Sequence, residues 1–573
     1  MSLMTFRRKM ASTNFVSIVM WIIIIVFVAS IFLFVGTGNK PPLDRISGLR
    51  VTSGTLLKIN NQKIKGDVYQ EILVKIKGEQ PLNINNALQI RKEALNKIVD
   101  DTIFNQSVKQ MDADVSDKDA INEMGEQLRM TVLLPRRIEV EKQAKEEAAK
   151  AKTDAEKKKL KPADVLYKDW MTEIINQQSA TQAEKDKYAA PNDEKFIEWY
   201  KEVYLKKDPT SFADQKKGVI ATKLGEKYIA MLQASQMAGV NLMDEKYAKN
   251  ARLMKVDASW IVYAPEGGGK DALLKAMDKA NKGFAAIKKS PGAFNKEIEN
   301  SADMMSRYGG GSIYGGVTGG KLPPVAEYYA FTLKKGQISP PFLAEYKNIY
   351  TQESKPAYII MRIDGNMTPN PEAKDVNWDK MKTPEMFKHK MRIEQDMGKQ
   401  LLSENKQYAT ITTEDLLIQS FLDDIGGDMK KTLADRKLLL ANAKAIEGLD
   451  EITKAAVNYD VGKKSTDVKE RIKYLSEAAI GVDNAGELHY DLGMAFMDDK
   501  KQKEARNQFI YAFESIGGGG QTEQTLVQNL KTQFITLKDK EYTDLTKKWL
   551  ETHKNQPSNN GSGMPYGMPG SGQ

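Results

Sequence analysis

The residue types that usually carry catalysis are scarce in this sequence. It contains no cysteine, so disulfides, thiolate metal ligands and cysteine nucleophiles are excluded. The three histidines, His389, His489 and His553, are too far apart to form a metal-binding motif and are expected to be packing or surface residues. Residues 267–271, GGGKD, lack the first glycine and the Ser/Thr of a phosphate-binding loop, and residues 310–314, GGSIY, lack the final glycine of a nucleophile elbow. We therefore predict neither a metal site nor a cofactor.

Residues 256–364 contain the most informative pattern. The predicted elements, in order, are a strand (256–263), two helical segments (271–286 and 294–300), a glycine-rich loop (309–320), a third helical segment and a closing strand (357–364). This order, together with the sequence AFTLKKGQIS at residues 330–339, resembles the parvulin (PpiC-type) peptidyl-prolyl isomerase domain. The resemblance implies a parvulin-like α/β domain over residues 252–365.

The same resemblance indicates where a proline pocket would lie. Rotation about an X–Pro bond has a barrier of about 18–20 kcal/mol, and an isomerase lowers it by holding the amide twisted in a desolvated pocket. Parvulins line that pocket with two histidines, an Asp or Cys, and a Met/Phe pair. The candidate positions here are Trp260 and Tyr358 (histidine positions), Asp303 (acid), Leu322 and Ala326 (Met/Phe pair) and Phe331. Because residues 252–365 contain no histidine, we expect the shape of the pocket to be kept and its polar groups lost, and we predict no catalytic residue.

Length and composition indicate a large, helix-rich protein with several domains. The chain has 573 residues, whereas single cores rarely exceed about 250–300 residues. Charged residues make up 28% and hydrophobic residues 41%, which is ordinary for a soluble, helix-rich protein with many exposed helix faces. With the parvulin-like domain that the resemblance implies, the predicted fold class is α+β, mostly α-helical. The net charge of +9 comes from lysines interleaved with glutamates and not from a basic face with aromatics, so we predict no nucleic-acid partner.

An apolar run from Phe15 to Gly36 predicts a single N-terminal transmembrane helix. A helix over residues 15–36 is about 33 Å long, which matches a hydrocarbon core of roughly 30 Å. A cleaved signal peptide is the alternative, but its apolar core usually has about 7–15 residues. Residues 7–9, RRK, precede the run, so residues 1–14 are expected in the cytoplasm and the bulk of the chain in the periplasm or outside the cell. The predicted location is the cell inner (plasma) membrane.

The region after the predicted anchor contains a second family pattern. Asn60-Asn61 separates two short β runs, as in a tight hairpin, and helical periodicity follows over residues 67–77 and 85–111. This order, followed by VSDKDAINEM at residues 115–124, resembles the N-terminal chaperone domain of the SurA/PpiD family. We predict a helical SurA_N-like chaperone domain over residues 41–250. The resemblance implies unfolded or newly exported proteins as partners.

The C-terminal third is predicted to be helical. Residues 366–450 read as a linker and a helical segment, with helices over 381–405 and 415–446. Six residues have the large and small side chains, and the spacing, of a tetratricopeptide (TPR) repeat: Leu492, Gly493, Phe496, Ala505, Phe509 and Ala512. We predict a TPR-like helical domain over residues 451–554, with unrelated helical hairpins as the alternative, and a disordered tail over 555–573. The secretion translocon and other envelope proteins are candidate partners of the TPR-like region.

Three functions remain open from the sequence. The favoured hypothesis is a membrane-anchored, extracytoplasmic chaperone whose parvulin-like domain is weak or inactive in catalysis, since both histidine positions are replaced. The first alternative is an active peptidyl-prolyl isomerase, because amide rotation transfers no proton. The second alternative is a non-catalytic TPR scaffold at the inner membrane.

Overall fold

The computed structural model describes residues 54–553, apart from 152, 154–159, 236–238, 349–353, 375 and 483–484. It shows a mostly helical α+β protein with small antiparallel sheets, which confirms the predicted class. The predicted anchor (residues 15–36) and the predicted disordered tail (residues 555–573) lie outside the described residues. Within the described part of the chain, no helix is long and apolar enough to cross a membrane.

The elements are numbered here in chain order. The helices are α1 (Gly66–Lys77), α2 (Ala87–Gln110), α3 (Asp117–Leu128), α4 (Leu134–Lys150), α5 (Ala163–Gln178), α6 (Gln182–Lys187), α7 (Asp193–Trp199), α8 (Pro209–Ser235), α9 (Glu245–Leu253), α10 (Lys270–Lys289), α11 (Ala293–Glu297), α12 (Met304–Tyr308), α13 (Pro324–Thr332), α14 (Trp378–Tyr408), α15 (Leu416–Ile425), α16 (Met429–Ala441), α17 (Ala443–Glu447), α18 (Glu451–Lys464), α19 (Val468–Ile480), α20 (Gly486–Asp498), α21 (Gln502–Glu514), α22 (Gln521–Thr536) and α23 (Lys540–His553). The strands are β1 (Thr55–Ile59), β2 (Gln62–Lys65), β3 (Met254–Lys255), β4 (Ala258–Tyr263), β5 (Phe342–Lys347), β6 (Ser354–Ile363), β7 (Thr368–Pro369) and β8 (Ile411–Thr412).

The described chain divides into two compact units. The central unit is formed by Val99–Thr410, and the split unit by residues 54–98 together with residues 411–553. Helix α2 contributes its first part to the split unit and its second part to the central unit. The predicted domain boundaries, at residues 250, 365 and 450, remain predictions.

In the central unit, β4, β6 and β5 form an antiparallel sheet in that order. Trp260 pairs with Met361 across β4 and β6, and these two side chains lie on the same face of the sheet. Successive residues along each strand point to opposite faces. On one face, Val262 and Ile359 belong to the large core that also contains side chains of α8, α13 and α14. On the other face, Ile261 packs in a smaller core with side chains of α10 and α11.

Helices α8 and α14 approach each other closely because both carry glycine at their crossing. A Cβ atom added to Gly225 would lie 1.7 Å from the carbonyl oxygen of Glu394. A Cβ atom added to Gly398 would lie 2.3 Å from the carbonyl oxygen of Ala221. The backbones of the two helices are therefore in direct contact, and neither position accepts a side chain without a shift of the helices.

In the split unit, β1 and β2 form the predicted hairpin. Asn60 and Asn61 have φ angles of 47° and 70°, and Ile59 pairs with Gln62 across them. Two left-handed residues in a two-residue loop are what a hairpin with the natural strand twist requires, and asparagine tolerates them. The hairpin prediction is therefore confirmed.

A buried arginine connects the two segments of the split unit. Arg91 in α2 is 1% exposed, and its Nε donates to Oγ1 of Thr453 in α18 at 2.8 Å. It also forms an ion pair with Asp450, whose side chain caps the start of α18. Because a buried guanidinium is stable only when its donors are matched, this contact fixes how α2 packs on α18.

The C-terminal helices pack in consecutive pairs: α18 with α19, α20 with α21, and α22 with α23. A Cβ atom added to Gly493 in α20 would lie 2.4 Å from the ring of Phe509 in α21, which is fully buried. The predicted fit of a small residue against a large one is therefore confirmed at this pair. The assignment of these pairs to the TPR family remains a prediction.

Candidate functional site

Two of the candidate pocket residues are in direct contact. Asp303 caps the start of α12, and its carboxylate accepts a hydrogen bond from Nε1 of Trp260 on β4 at 2.8 Å. The hydroxyl of Tyr346 on β5 donates to the same carboxylate at 3.3 Å, and so does the backbone N–H of Met305. Asp303 is 6% exposed. We name these three side chains the Trp260–Asp303–Tyr346 cluster.

The donors in this cluster determine what it can do chemically. An indole N–H and a backbone N–H do not ionise near neutral pH, and a tyrosine hydroxyl has an ordinary pKa of about 10. The carboxylate therefore accepts hydrogen bonds from three neutral donors. The cluster is well suited to anchor α12 and the following loop to the sheet.

Three further candidates, Leu322, Ala326 and Phe331, are buried in the large core of the central unit. Leu322 is 7% exposed, and the other two are at most 1% exposed. Ala326 and Phe331 lie on α13, whose buried side chains pack on the sheet. In this structure the three side chains are covered by protein and do not present a groove to a ligand.

Tyr358 is the candidate that the structure separates from the others. It lies on β6 opposite Tyr263 and packs with the smaller core on the α10 face of the sheet. Trp260 packs with the large core on the other face. Burial raises the pKa of Tyr358 to about 12. The six candidate positions therefore do not line one pocket, and any role of theirs in isomerisation remains a prediction.

Exposed apolar side chains follow Asp303 directly in the chain. We define the Met/Tyr segment by its exposed side chains, which are Met304, Met305, Tyr308 and Tyr314. Tyr308 and Tyr314 are 80% and 86% exposed, although large aromatic side chains are usually at least partly covered. The sequence MMSRYGGGSIY at residues 304–314 carries the signal, because it places five large apolar or aromatic residues around three glycines.

The glycine-rich loop that carries Tyr314 is held along β4. The N–H of Ile313 donates to the carbonyl of Ala258 at 2.9 Å, and the N–H of Trp260 donates to the carbonyl of Gly311 at 2.9 Å. Gly311 has a φ of +88°, and a Cβ atom there would lie 2.7 Å from Ile298. The Met/Tyr segment is therefore displayed on a backbone that is fixed to the sheet at both of these points.

A second buried carboxylate was not predicted from the sequence. Glu327 on α13 is 0% exposed, and it forms an ion pair with Arg392 on α14 at 2.5 Å. The hydroxyl of Tyr247 donates to it at 3.0 Å, and the N–H of Gly320 donates at 2.6 Å. Burial raises the pKa of Glu327, and the charge of Arg392 opposes that shift. Glu327 is thus a structural group that connects α13 to α9 and α14.

The three histidines lie on three different helices, α14, α20 and α23. His389 is buried on α14, where Nε2 lies 2.9 Å from the carbonyl of Leu242, and burial lowers its pKa to about 4. His489 contacts Gln508 and His553 contacts the carbonyl of Trp549. Among the described residues, no group of three or more His, Asp or Glu side chains is arranged to hold a metal ion.

Comparisons with known proteins found similar solved structures and a matching family model. Among solved structures, the foldase protein PrsA from Streptococcus pneumoniae str. Canada MDR_19A is 14% identical, with 66% of this chain and 93% of that chain covered and a TM-score of 0.15. PrsA from Bacillus subtilis is 16% identical, with coverages of 46% and 82% and a TM-score of 0.15. With such TM-scores, neither similarity establishes the fold or the function of this chain. No curated protein matches the sequence. Residues 8–131 match the family model of the SurA-like N-terminal domain, so the chain carries a domain of that kind near its N-terminus.

Proposed function

We propose that this protein is a membrane-anchored, extracytoplasmic chaperone that binds unfolded or newly exported proteins. The observation that carries the proposal is the match of residues 8–131 to the SurA-like N-terminal domain. That match includes the apolar run of residues 15–36, which supports an anchor joined directly to the chaperone domain. The hairpin and helix α2 that follow are the elements that the sequence predicted for this region.

Residues 252–365 contribute binding and little or no catalysis in this proposal. Asp303 is occupied by neutral donors, and the region contains no histidine. The Met/Tyr segment supplies a surface for client chains, because methionine adapts its shape to varied partners and tyrosine combines an apolar ring with a hydroxyl. Its exposure beside a fixed loop supports this role.

An aggregation assay tests the chaperone proposal. The soluble fragment 41–573, added in stoichiometric amounts, is expected to suppress the aggregation of reduced lysozyme. Met304→Ser/Tyr308→Ser should weaken suppression, whereas the control Leu274→Ser, at a 42% exposed position on α10, should not. Exposed substitutions of this kind usually change stability by less than about 0.5 kcal/mol, so all three proteins should melt alike. If the unmodified fragment does not suppress aggregation, the chaperone role is contradicted. If the fragment and both variants suppress aggregation equally, the Met/Tyr segment does not contribute to client binding.

The location at the inner membrane is part of the proposal. It is supported by the length of residues 15–36 and by the basic residues 7–9 before them. Protease added to spheroplasts is expected to digest the chain beyond residue 40, and the mature protein is expected to retain residues 1–40. A mature N-terminus near residue 40 would show a cleaved signal peptide instead.

Helices α18–α23 are the proposed contact for the translocon or other envelope proteins, on the basis of their TPR-like spacing alone.

A further inference from the structure

A groove of about 290 Å³ lies in the split unit. It is bordered by the start of α2 and by helices α15, α16 and α18. Apolar groups in its lining include Ile84, Leu88 and Ala456. The volume is near the lower end of about 300–1,000 Å³ that ligand pockets usually have, so the groove has room for one or two side chains of a ligand.

The charged groups in the lining do not balance. Four cations, Lys92, Arg436, Lys463 and Lys464, line the groove with two carboxylates, Asp424 and Asp460. A third carboxylate, Asp491, lies 3.7 Å from Lys463, so four minus three leaves a surplus of one positive charge. Each of the two lining carboxylates is shared between cations. Asp424 lies 2.8 Å from Lys92 and 4.0 Å from Arg436, and Asp460 contacts both Arg436 and Lys464.

The arrangement leaves Lys463 as the cation that a ligand can reach, because Lys92 and Lys464 each lie 2.8 Å from a carboxylate of the groove. Arg436 is 3% exposed and its guanidinium is occupied by the two carboxylates. The side chain of Lys463 is 59% exposed, and its ammonium lies 3.7 Å from a carboxylate oxygen of Asp491. A surplus of positive charge in a partly enclosed groove attracts anions more strongly than the same charge on an open surface. Apolar lining groups additionally favour a ligand with an apolar side chain beside its negative charge.

We propose that this groove binds an acidic–apolar peptide segment, in which a peptide carboxylate contacts Lys463 and a neighbouring apolar side chain covers Leu88. The carboxylate can belong to an Asp or Glu side chain or to a C-terminus, since both present the same group to an ammonium. This site is distinct from the Met/Tyr segment and does not depend on the proposed chaperone activity.

Fluorescence anisotropy with dye-labelled peptides tests the site on the full-length protein in detergent. The first peptide, Gly-Ser-Gly-Glu-Leu-Glu-Gly with a C-terminal amide, carries side-chain carboxylates. The second has Gln-Leu-Gln in place of Glu-Leu-Glu and carries none, and the third is the second with a free C-terminus. We expect saturable binding of the first or the third peptide, and at least about tenfold weaker binding of the second, which corresponds to about 1.4 kcal/mol.

Matched variants distinguish the groove from general charge effects. Lys463→Glu is expected to weaken binding at least about tenfold, or about 1.4 kcal/mol. Lys469→Glu, an exposed position on α19 outside the groove, changes the net charge equally and should leave binding unchanged. Asn85→Trp, at an exposed lining position, should block the groove. Equal binding of all three peptides, equal effects of the two lysine variants, or no binding would each overturn the proposal. Displacement of the peptide by inorganic phosphate at the same concentration would overturn the assignment to peptides.

Discussion

Asp303 and Glu327 are both buried carboxylates of the central unit, yet their surroundings differ. Glu327 is paired with a cation, Arg392, and lies where α13 meets the long helix α14. Asp303 is held by neutral donors and lies under the exposed Met/Tyr segment. The comparison separates the region that stabilises the unit, around α14, from the region that displays a surface, around α12. The predictions below test that division.

The largest effect is expected when Glu327 loses its cation. Arg392→Met leaves a fully buried carboxylate without its charged partner, and breaking a buried pair in this way usually costs about 3–5 kcal/mol. Chemical denaturation of fragment 41–573 measures the loss. The double variant Glu327→Gln/Arg392→Met removes both charges and should recover part of the stability. A single variant as stable as the unmodified fragment would show that the pair does not support the α13–α14 contact.

A smaller loss is expected at the glycine contact between α8 and α14. Gly398→Ala places a methyl group 2.3 Å from a backbone oxygen of α8, and overpacking of this kind costs about 1–3 kcal/mol. Gly218→Ala on α8 is the matched control, because nothing lies within 4 Å of its Cβ position and alanine improves helix propensity by up to about 1 kcal/mol. The two substitutions should therefore shift the melting temperature in opposite directions. Shifts of the same sign would contradict the close contact.

Glu394, also on α14, gives a pH-dependent effect. Burial raises its pKa to about 7; Glu226 and Glu123 add to the shift, and Lys390 opposes it. Between about pH 4.5 and 7 the folded state keeps a proton that the unfolded state has lost, so stability falls as pH rises through this range. The slope is at most about 1.4 kcal/mol per pH unit, and solvent screening should reduce the total to about 1–2 kcal/mol.

Denaturation curves at pH 5, 6 and 7 measure this slope. Glu394→Gln should flatten it, whereas Glu447→Gln, at an exposed position on α17 in the split unit, should change it little. Parallel pH profiles for the unmodified and Glu394→Gln proteins would show that Glu394 is ionised in the folded state at pH 5.

Elements governed by local sequence were predictable. Asn60-Asn61 specified the hairpin because few residues tolerate two successive left-handed conformations. Helix α14 was predicted over residues 381–405 and extends over Trp378–Tyr408. A long periodic stretch identifies a helix even though the positions of its ends are uncertain by a few residues. Strand β5 was missed: its sequence, FLAEYK, follows two prolines, and its pairing with β6 depends on residues further along the chain.

The candidate site was less predictable because it depends on register and on distant partners. Trp260 and Tyr358 each precede an aliphatic pair, which made them look equivalent in the sequence. Trp260 pairs with Met361, however, so these two side chains share one face of the sheet. Successive side chains of a strand alternate between the two faces, and Tyr358 therefore lies on the face opposite to Trp260. Likewise, Glu327 and Arg392 are separated by 65 residues, and a single glutamate in a helix usually indicates an exposed position.

The smallest effect on stability, and the most direct test of function, is expected at Asp303. Asp303→Asn keeps one acceptor oxygen for Trp260 but weakens hydrogen bonds to a charged group, so we expect a loss of about 1 kcal/mol. Tyr358→Phe is the control on the other face of the sheet and should change little.

In a protease-coupled assay on a proline-containing peptide, we expect fragment 41–573 to show weak or no isomerisation, and neither substitution should alter the rate. Aggregation suppression should also persist in both variants, because the Met/Tyr segment remains exposed. Isomerisation as fast as that of a histidine-bearing parvulin, abolished by Asp303→Asn, would instead establish the Trp260–Asp303–Tyr346 cluster as a catalytic site without histidine.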